Sequence, residues 1–344
     1  MGQSIGVAVV GYGYWGTNCV RVFSELPQAR LLGVCDLDAQ RLAMVRQRFP
    51  TVETTSHLET LLMDPRVEAL VVATPATSHY WVSRAGLEQG KHVLVEKPLA
   101  TNVQDARTLA ALSQKTGRVL MVGHTFLYNP AVWKMKECIE SPAFGRAYYL
   151  RATRTNLGPI RQDVNVLWDL APHDVSIFNY LLGAEPEAVW AMGARLLRTC
   201  REDVGFIHLR YPGDILGSIH VSWVEPQKVR EVVAVGSQQR IVFDDLNPQE
   251  RIRIFEKGVS PSETEVNSFG EFHLLVRDGA IISPKVEVSE PLKNQCRHFL
   301  ECVAQGRRPL TDAENGLQVV RVMAAADASM SRGGVQVSPD DVSF

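Results

Sequence analysis

VAVVGYGYWG, running from Val7 to Gly16, joins a buried-strand pattern to a complete GxGxxG turn at Gly11, Gly13 and Gly16. The apolar run Ile5 to Val10 reads as a strand, and a helix-length segment, Thr17 to Glu25, follows the turn. In such a turn the first glycine allows the tight reversal, the second lets the backbone approach a pyrophosphate, and the third packs the helix closely on the strand. The N–H groups at the helix start then face the anion. A lone GxGxxG is a weak signal, but here a second apolar run, ARLLGVCD (Ala29 to Asp36), ends on a carboxylate about 20 positions beyond Gly16, where this fold holds the adenosine ribose. Asp36, with Asp38 close behind, repels a 2′-phosphate, so NAD is expected in preference to NADP.

Outward from that turn the first third keeps a strand-then-helix rhythm, which predicts a parallel sheet covered on both faces. Strands are expected at Gly6 to Val10, Ala29 to Cys35, Ala69 to Ala73, His92 to Glu96 and Val119 to Gly123. Ala39 to Arg48, Ser56 to Met63, Tyr80 to Glu88 and Asn102 to Thr116 have helical length and spacing. After Gly123 the rhythm changes, and GHTFLYNP reads as the crossing between domains. Beyond it, Phe144 to Thr155, Glu187 to Leu196, Val204 to Tyr211, Ile215 to Trp223, Val229 to Val235 and Arg240 to Phe243 alternate apolar and polar residues between turn signals. Short consecutive strands favour an antiparallel sheet, with Ala171 to Leu182 and Asn294 to Gln305 as helices on one face. The expected organisation is a doubly wound α/β domain over 1–123 and an α+β domain over 124–344. Pro261 to Ser268 is the most loop-like stretch.

The 344 residues exceed what one core usually organises, and 36 basic against 38 acidic residues leave no global field for nucleic acid or anionic lipid. No apolar run reaches the ~20 residues that span a bilayer, and the start lacks a charged region before an apolar core; a cytoplasmic protein is expected. The six cysteines show no CxxC spacing, so reduced thiols are expected and no metal site.

Three further constellations carry chemistry. Glu96-Lys97-Pro98 closes the strand pattern VLVEKP, at the end of a parallel sheet where ligands bind, although a surface lysine is the bland alternative. Asp169 and His173 in DLAPH stand four apart, and positions i and i+4 share a helix face. Pro172 places the helix start near Ala171, with Asp169 before or at its cap; a capping Asp beside a core His is the alternative. In RATRTNLGPIRQDVN, Arg151, Arg154 and Arg161 stand among Asn156 and Asn165; guanidinium forks recognise phosphate, but arginines on a strand and loop are more often solvated.

The order GYGYWG, Asp36, ATPATSHY, EKPLA, WDLAPHDVSIF and QCRHFLECVAQGRRPLTDAENG resembles the Gfo/Idh/MocA family of glucose-fructose oxidoreductases, inositol dehydrogenases and rhizopine-catabolism proteins, over nearly the whole chain. The resemblance implies that Lys97 and His173 flank the substrate carbon beside the nicotinamide, with Asp169 orienting a hydroxyl or His173. It implies NAD held by Gly11, Gly13, Tyr14, Trp15, Gly16, Asp36, Thr74, Pro75, His79, Glu96 and Lys97. It also implies a homo-oligomer, dimer or tetramer, paired through the outer face of the second sheet.

One departure bears on the substrate. Many relatives carry an arginine after the last strand of the first domain, where this chain has His124-Thr-Phe-Leu-Tyr128-Asn129-Pro130. A substrate anion is then expected at Arg161 or Arg154, with Tyr128 and Asn165 as further substrate contacts. NLGPIRQDVNVLWDLAPHDVSI resembles the branch acting on nucleotide-linked amino sugars, especially UDP-N-acetylglucosamine 3-dehydrogenases. The expected reaction is oxidation of that sugar nucleotide to its 3-keto form, a step of amino-sugar biosynthesis. Free-sugar or inositol oxidation is the alternative, and a non-catalytic dinucleotide-binding sensor or regulatory protein is the alternative of another class. In the expected mechanism His173 takes the hydroxyl proton and Lys97 stabilises the alkoxide, although either is able to serve as formal base.

Overall fold

A computed structural model describes residues 4–158, 160–161, 163–197, 200–261, 274–277 and 279–342, with backbone alone at 259–261 and 274–277. Beyond Pro261, the expected loop lies outside the described residues. Six strands pair in parallel: β1 (Ile5–Val10), β2 (Ala29–Cys35), β3 (Glu53–Thr55), β4 (Ala69–Val72), β5 (His92–Glu96) and β6 (Leu120–Gly123), in the order β3-β2-β1-β4-β5-β6. This doubly wound order brings together two mononucleotide-binding halves. Between the strands run α1 (Gly16–Glu25), α2 (Ala39–Arg48), α3 (Leu58–Met63), α4 (His79–Glu88) and α5 (Val103–Thr116). Every residue of β1, β4 and β6 is buried, as expected where helices cover both faces.

The chain divides into two compact units, and the division differs from a simple break at 123/124. The first unit takes Met1–Tyr128, Ser289–Ala324 and Val342–Phe344; the second takes Asn129–Val288 and Ala325–Asp341. Ser289–Ala324 returns to the first unit for a physical reason. β6 is an edge strand with unpaired backbone groups. Thr311 Oγ1 donates to the Val122 carbonyl at 2.7 Å, Val122 N donates to the Thr311 carbonyl at 2.7 Å, and Met121 bridges Asp312. Within this unit α8 (Pro291–Gln305) buries Cys296, Phe299 and Leu300, and Asn294 donates to the Tyr128 carbonyl at 3.0 Å. α9 (Ala313–Ser331) contributes residues to both units.

In the second unit α6 (Pro130–Glu140), β7 (Ala147–Thr155) and α7 (Val166–Leu182) are followed by β8 (Ala188–Ala194), β9 (Val204–Tyr211), β10 (Ile215–Ser222), β11 (Val229–Gly236), β12 (Arg240–Asp244) and β13 (Ile252–Phe255). β14 (Gly258–Pro261) pairs with β15 (Leu274–Arg277), and β16 (Ile281–Ile282) joins β13. The large sheet runs β16-β13-β12-β11-β7-β10-β9-β8 and is antiparallel except where β7 and β10 run parallel. That exception is possible because α7, β8 and β9 form a connection long enough for a crossover. α7 packs against β7, β9 and β10.

α7 begins earlier than expected. Asn165, not a residue beside Pro172, caps it by accepting from Trp168 N at 3.0 Å, and Pro172 sits inside the helix. An internal proline costs about 3 kcal/mol or more through its missing donor and ring clash. Burial of much of the helix and the tie between its first turn and α9, Trp168 Nε1 to Asp327 at 2.6 Å, offset that cost. Arg154, expected at a substrate anion, is instead buried on β7 and grips Asp174 of α7 with two bonds, Nε at 2.9 Å and Nη2 at 2.7 Å. Such a pair survives burial because each charge is met by its partner. Among the described residues no helix is long and apolar enough to cross a membrane.

Candidate active site

The first unit gathers the expected cofactor residues at the carboxyl ends of β1, β2, β4 and β5. Gly11 has φ of +93°, and a Cβ there would stand 2.6 Å from the Ala73 carbonyl; a Cβ on Gly16 would stand 2.0 Å from the Gly11 carbonyl. No side chain caps the start of α1; Thr17 N donates to the Gly13 carbonyl at 3.1 Å, and Asn18 N and Cys19 N donate to the Trp15 carbonyl at 3.0 and 3.2 Å. Asp36 is buried at the end of β2, with Oδ2 accepting from Tyr12 N at 2.6 Å and Oδ1 from Asp38 N at 2.8 Å. Asp38 itself caps α2 and, like Asp36, stands 3.5 Å from the Arg41 guanidinium. A tight glycine turn, an uncapped helix and an oriented ribose carboxylate fit a dinucleotide.

The other expected cofactor residues separate into those that face outward and those that hold the loops. The Tyr14 side chain is exposed, while its carbonyl accepts from Thr17 Oγ1 at 2.9 Å. Trp15 turns inward, its indole N–H donating to Glu96 at the end of β5. His79, expected at the cofactor, is buried with Nδ1 2.7 Å from the Pro98 carbonyl and Nε2 2.9 Å from the Thr74 carbonyl. It thereby ties the Thr74-Pro75 loop after β4 to the loop that follows Lys97. Lys97 is half-buried and leads into a cis peptide bond with Pro98. Tyr128, expected at the substrate, is buried with its hydroxyl 3.0 Å from Thr311 Oγ1, and burial pushes the phenol up. Its polar end is thus spent inside the first unit.

In the second unit, Asp169 and His173 lie one turn apart on α7 and share a face. Asp169 is held from two sides: Oδ1 lies 3.4 Å from Arg161 Nη1, and Oδ2 accepts from Trp223 Nε1 at 3.2 Å. Arg161 also grips Asp163, Nε at 2.9 Å and Nη2 at 2.7 Å, so the arginine expected for a diphosphate already faces two carboxylates. These carboxylates push its guanidinium up. Asn165, expected at the sugar, spends its oxygen on the α7 cap and its amide on Glu202 at 3.2 Å and Asp327 at 3.5 Å. Trp223 and Asp174 were not legible as site neighbours, because no local spacing links them to Asp169 and Arg154; Asp163, two positions after Arg161, was within reach of a local reading that went to the arginines instead. Among the described residues no group of acids, histidines and cysteines is arranged to hold a metal ion.

His124, immediately after β6, is a second residue that motif reading passes over. It is 1% exposed, and among the described residues neither ring nitrogen has a hydrogen-bond partner. Burial, together with the Lys97 ammonium, pushes its pKa down to about 3. Below the ordinary imidazole value of about 6.5 the unfolded chain therefore binds a proton that the folded chain refuses, and stability falls as pH falls toward 3. His124→Phe should remove this penalty, gaining about 2 kcal/mol over the wild type at pH 5 relative to the same comparison at pH 7. Urea unfolding of both proteins at the two pH values checks this.

Two family models match the chain: the oxidoreductase family, NAD-binding Rossmann fold, over residues 5–124, and the GFO/IDH/MocA C-terminal domain over residues 132–242. Among curated relatives, UDP-N-acetylglucosamine 3-dehydrogenase of Acidithiobacillus ferrooxidans is 27% identical, with 94% of this chain and 98% of that protein covered. The scyllo-inositol 2-dehydrogenase (NAD(+)) of Bacillus subtilis is 24% identical, with 99% and 98% covered. Among solved structures, GenD2 from gentamicin A biosynthesis, in complex with NAD, superimposes with a TM-score of 0.82 at 27% identity, covering 98% of this chain and 97% of that one. Sheet order, glycine turn and family models agree that this chain belongs to the Gfo/Idh/MocA family and is an NAD-dependent oxidoreductase.

Proposed function

We propose that the protein dehydrogenates a secondary hydroxyl of a sugar-type substrate. The observation that carries this reading is the pairing of Asp169 and His173 on one face of α7, with Asp169 fixed by Trp223 and Arg161. NAD, when bound, supplies the hydride acceptor. His173 takes the hydroxyl proton, because imidazole exchanges protons near neutral pH. Lys97 donates to the same oxygen and stabilises the alkoxide as it forms. Asp169 orients a neighbouring hydroxyl or His173. Glu96, Thr74 and Pro75 belong to the cofactor side, with Gly11, Gly13 and Gly16 at the pyrophosphate and Asp36 at the ribose. The six cysteines are unpaired, which fits a reducing compartment and a cytoplasmic enzyme.

For the substrate, UDP-N-acetylglucosamine oxidised at C3 is supported by likeness to the Acidithiobacillus enzyme over nearly the full length of both chains. A free sugar or inositol is the second reading, and a specific observation favours it: Arg154 is spent on Asp174, and Arg161 is spent on Asp163 and Asp169. A diphosphate would have to draw Arg161 away from carboxylates that already satisfy it. The inositol dehydrogenase relative points the same way.

The outer face of the large sheet supports self-association. Tyr149 stands opposite Leu216, and Met192 opposite Phe206, which stacks on His220 at 4.5 Å. All four apolar side chains are exposed and occupy one face. A second copy of this chain, presenting the same face, is the partner this reading assigns.

Three outcomes are expected. His173→Ala and Lys97→Met should each lower turnover by ~10²-fold to 10⁴-fold while NAD still binds, as stopped-time assays of NAD reduction and fluorescence titration would show. Calorimetry on the NAD-loaded protein should detect UDP binding that Arg161→Ala weakens; no UDP binding beside rapid NAD reduction by a free sugar or inositol would select the second substrate reading. Light scattering should report an oligomer, and a Phe206→Glu, Leu216→Glu double variant should run as a monomer.

A further inference from the structure

Glu96 is a carboxyl that none of the assigned chemical steps uses. It closes β5 in the half of the sheet formed by β4, β5 and β6, the half that takes the second mononucleotide of a dinucleotide. The first mononucleotide, with its ribose carboxylate Asp36, belongs to β1, β2 and β3. The surroundings of Glu96 are poor in charge. From the start of α1 come the Trp15 indole, which donates to it, and the Cys19 thiol. From β6 comes Gly123, so close that a Cβ there would stand 2.9 Å from either carboxylate oxygen. From α8 comes the Cys296 thiol, and from its own strand end come the Lys97 N–H and ammonium. No guanidinium bonds it among the described residues, in contrast to Asp169 and Asp174.

We propose that Glu96 is the charge partner of the nicotinamide, ionised against the oxidised, cationic ring and protonated against the reduced, neutral one. The inference rests on the NAD assignment and deepens it. The physical argument is a balance of desolvation and Coulomb attraction. A carboxylate with one indole donor, a glycine strand pressed against it and, among the described residues, no guanidinium is held poorly in its charged form, and burial pushes Glu96 up to about 7. A fixed positive charge arriving nearby favours the carboxylate; an uncharged ring adds only further desolvation. The proton that leaves the substrate through His173 is then matched in number, by exchange with solvent, by one that Glu96 gains. The alcohol carbon gives a hydride to the ring and the hydroxyl gives up a proton, while Glu96 gains one proton as the ring loses its charge. In net terms alcohol, NAD⁺ and the Glu96 carboxylate become ketone, NADH and the Glu96 acid.

The neighbours do not obscure the effect. His124 is held neutral until about pH 3, and burial raises both the Cys19 and Cys296 thiols well above their ordinary range. His173, the imidazole this reading sets at the reacting carbon, is separated by substitution: a midpoint near neutrality in the difference between NAD⁺ and NADH affinity that survives His173→Ala and is lost in Glu96→Gln is the signature of Glu96.

The test is dinucleotide affinity against pH, read from intrinsic tryptophan fluorescence, with calorimetry in buffers of different ionisation enthalpy to count protons. For the wild type, NAD⁺ should bind on the order of tenfold more tightly at pH 8 than at pH 6 and release protons at pH 6. NADH should bind no more tightly at pH 8. Glu96→Gln, which keeps an acceptor for the Trp15 indole, should flatten the NAD⁺ curve and abolish proton release. Trp15→Phe, which removes that donor but leaves the carboxyl, should move the midpoint to higher pH. A wild type whose NAD⁺ and NADH curves run parallel, or a Glu96→Gln protein that keeps the tenfold dependence, overturns the inference. Failure of the wild type to bind either dinucleotide would overturn the cofactor assignment as well, a distinct result.

Discussion

The approach of Gly16 to the Gly11 carbonyl constrains more of this molecule than any other contact. With 2.0 Å between a hypothetical Cβ and that oxygen, no side chain fits at position 16, and α1 is pressed against the start of its own turn. Gly11 is pinned in the same way against Ala73 at the end of β4. The consequence reaches beyond phosphate binding. Trp15, which directly precedes the helix, has its indole delivered to Glu96, so the dinucleotide turn and the strand carrying Lys97 are joined by one hydrogen bond. His79 adds a second tie, between the loops after β4 and β5. The steric demand of glycines in one turn thus propagates across three neighbouring strands.

How much of this was legible depends on whether the signal is local. β1, β2, β4, β5 and β6 were readable because strands buried on both faces are written as apolar runs, and the Gly, Asp36, Glu96-Lys97 and Asp169-His173 motifs because their spacing is short. β3 is three residues of mixed polarity and carries no such run. α7 was misread at its start because proline argues for a first turn; the tertiary bonds of Trp168 to Asp327 and Arg154 to Asp174 override that preference. The parallel pairing of β7 with β10, and the return of Thr311 to β6, are non-local and leave no periodic trace. The same holds for the arginines. A positive residue among asparagines reads as an anion site, and the carboxylates that meet it in the structure, Asp174 for Arg154 and Asp163 for Arg161, are not announced by that pattern.

Carboxylates in this chain are divided by their company. Asp174 and Asp163 face guanidiniums through paired bonds, and Asp169 shares one and an indole. A charge so compensated is fixed in place, which suits orientation and not proton exchange. Asp36 is held by the backbone N–H groups of Tyr12, in the glycine turn, and of Asp38, with the Arg41 guanidinium 3.5 Å away, which suits a neutral diol that needs acceptors. Glu96 receives one indole and the end of its strand, with thiols and a glycine around the rest. Its charged form is the least supported of the set, and the same Lys97 that favours that form also keeps His124 neutral. One ammonium acts in opposite directions on an acid and a base beside it. Burial lifts the acid into the neutral range against the pull of that ammonium, while burial and the ammonium together take the base out of it.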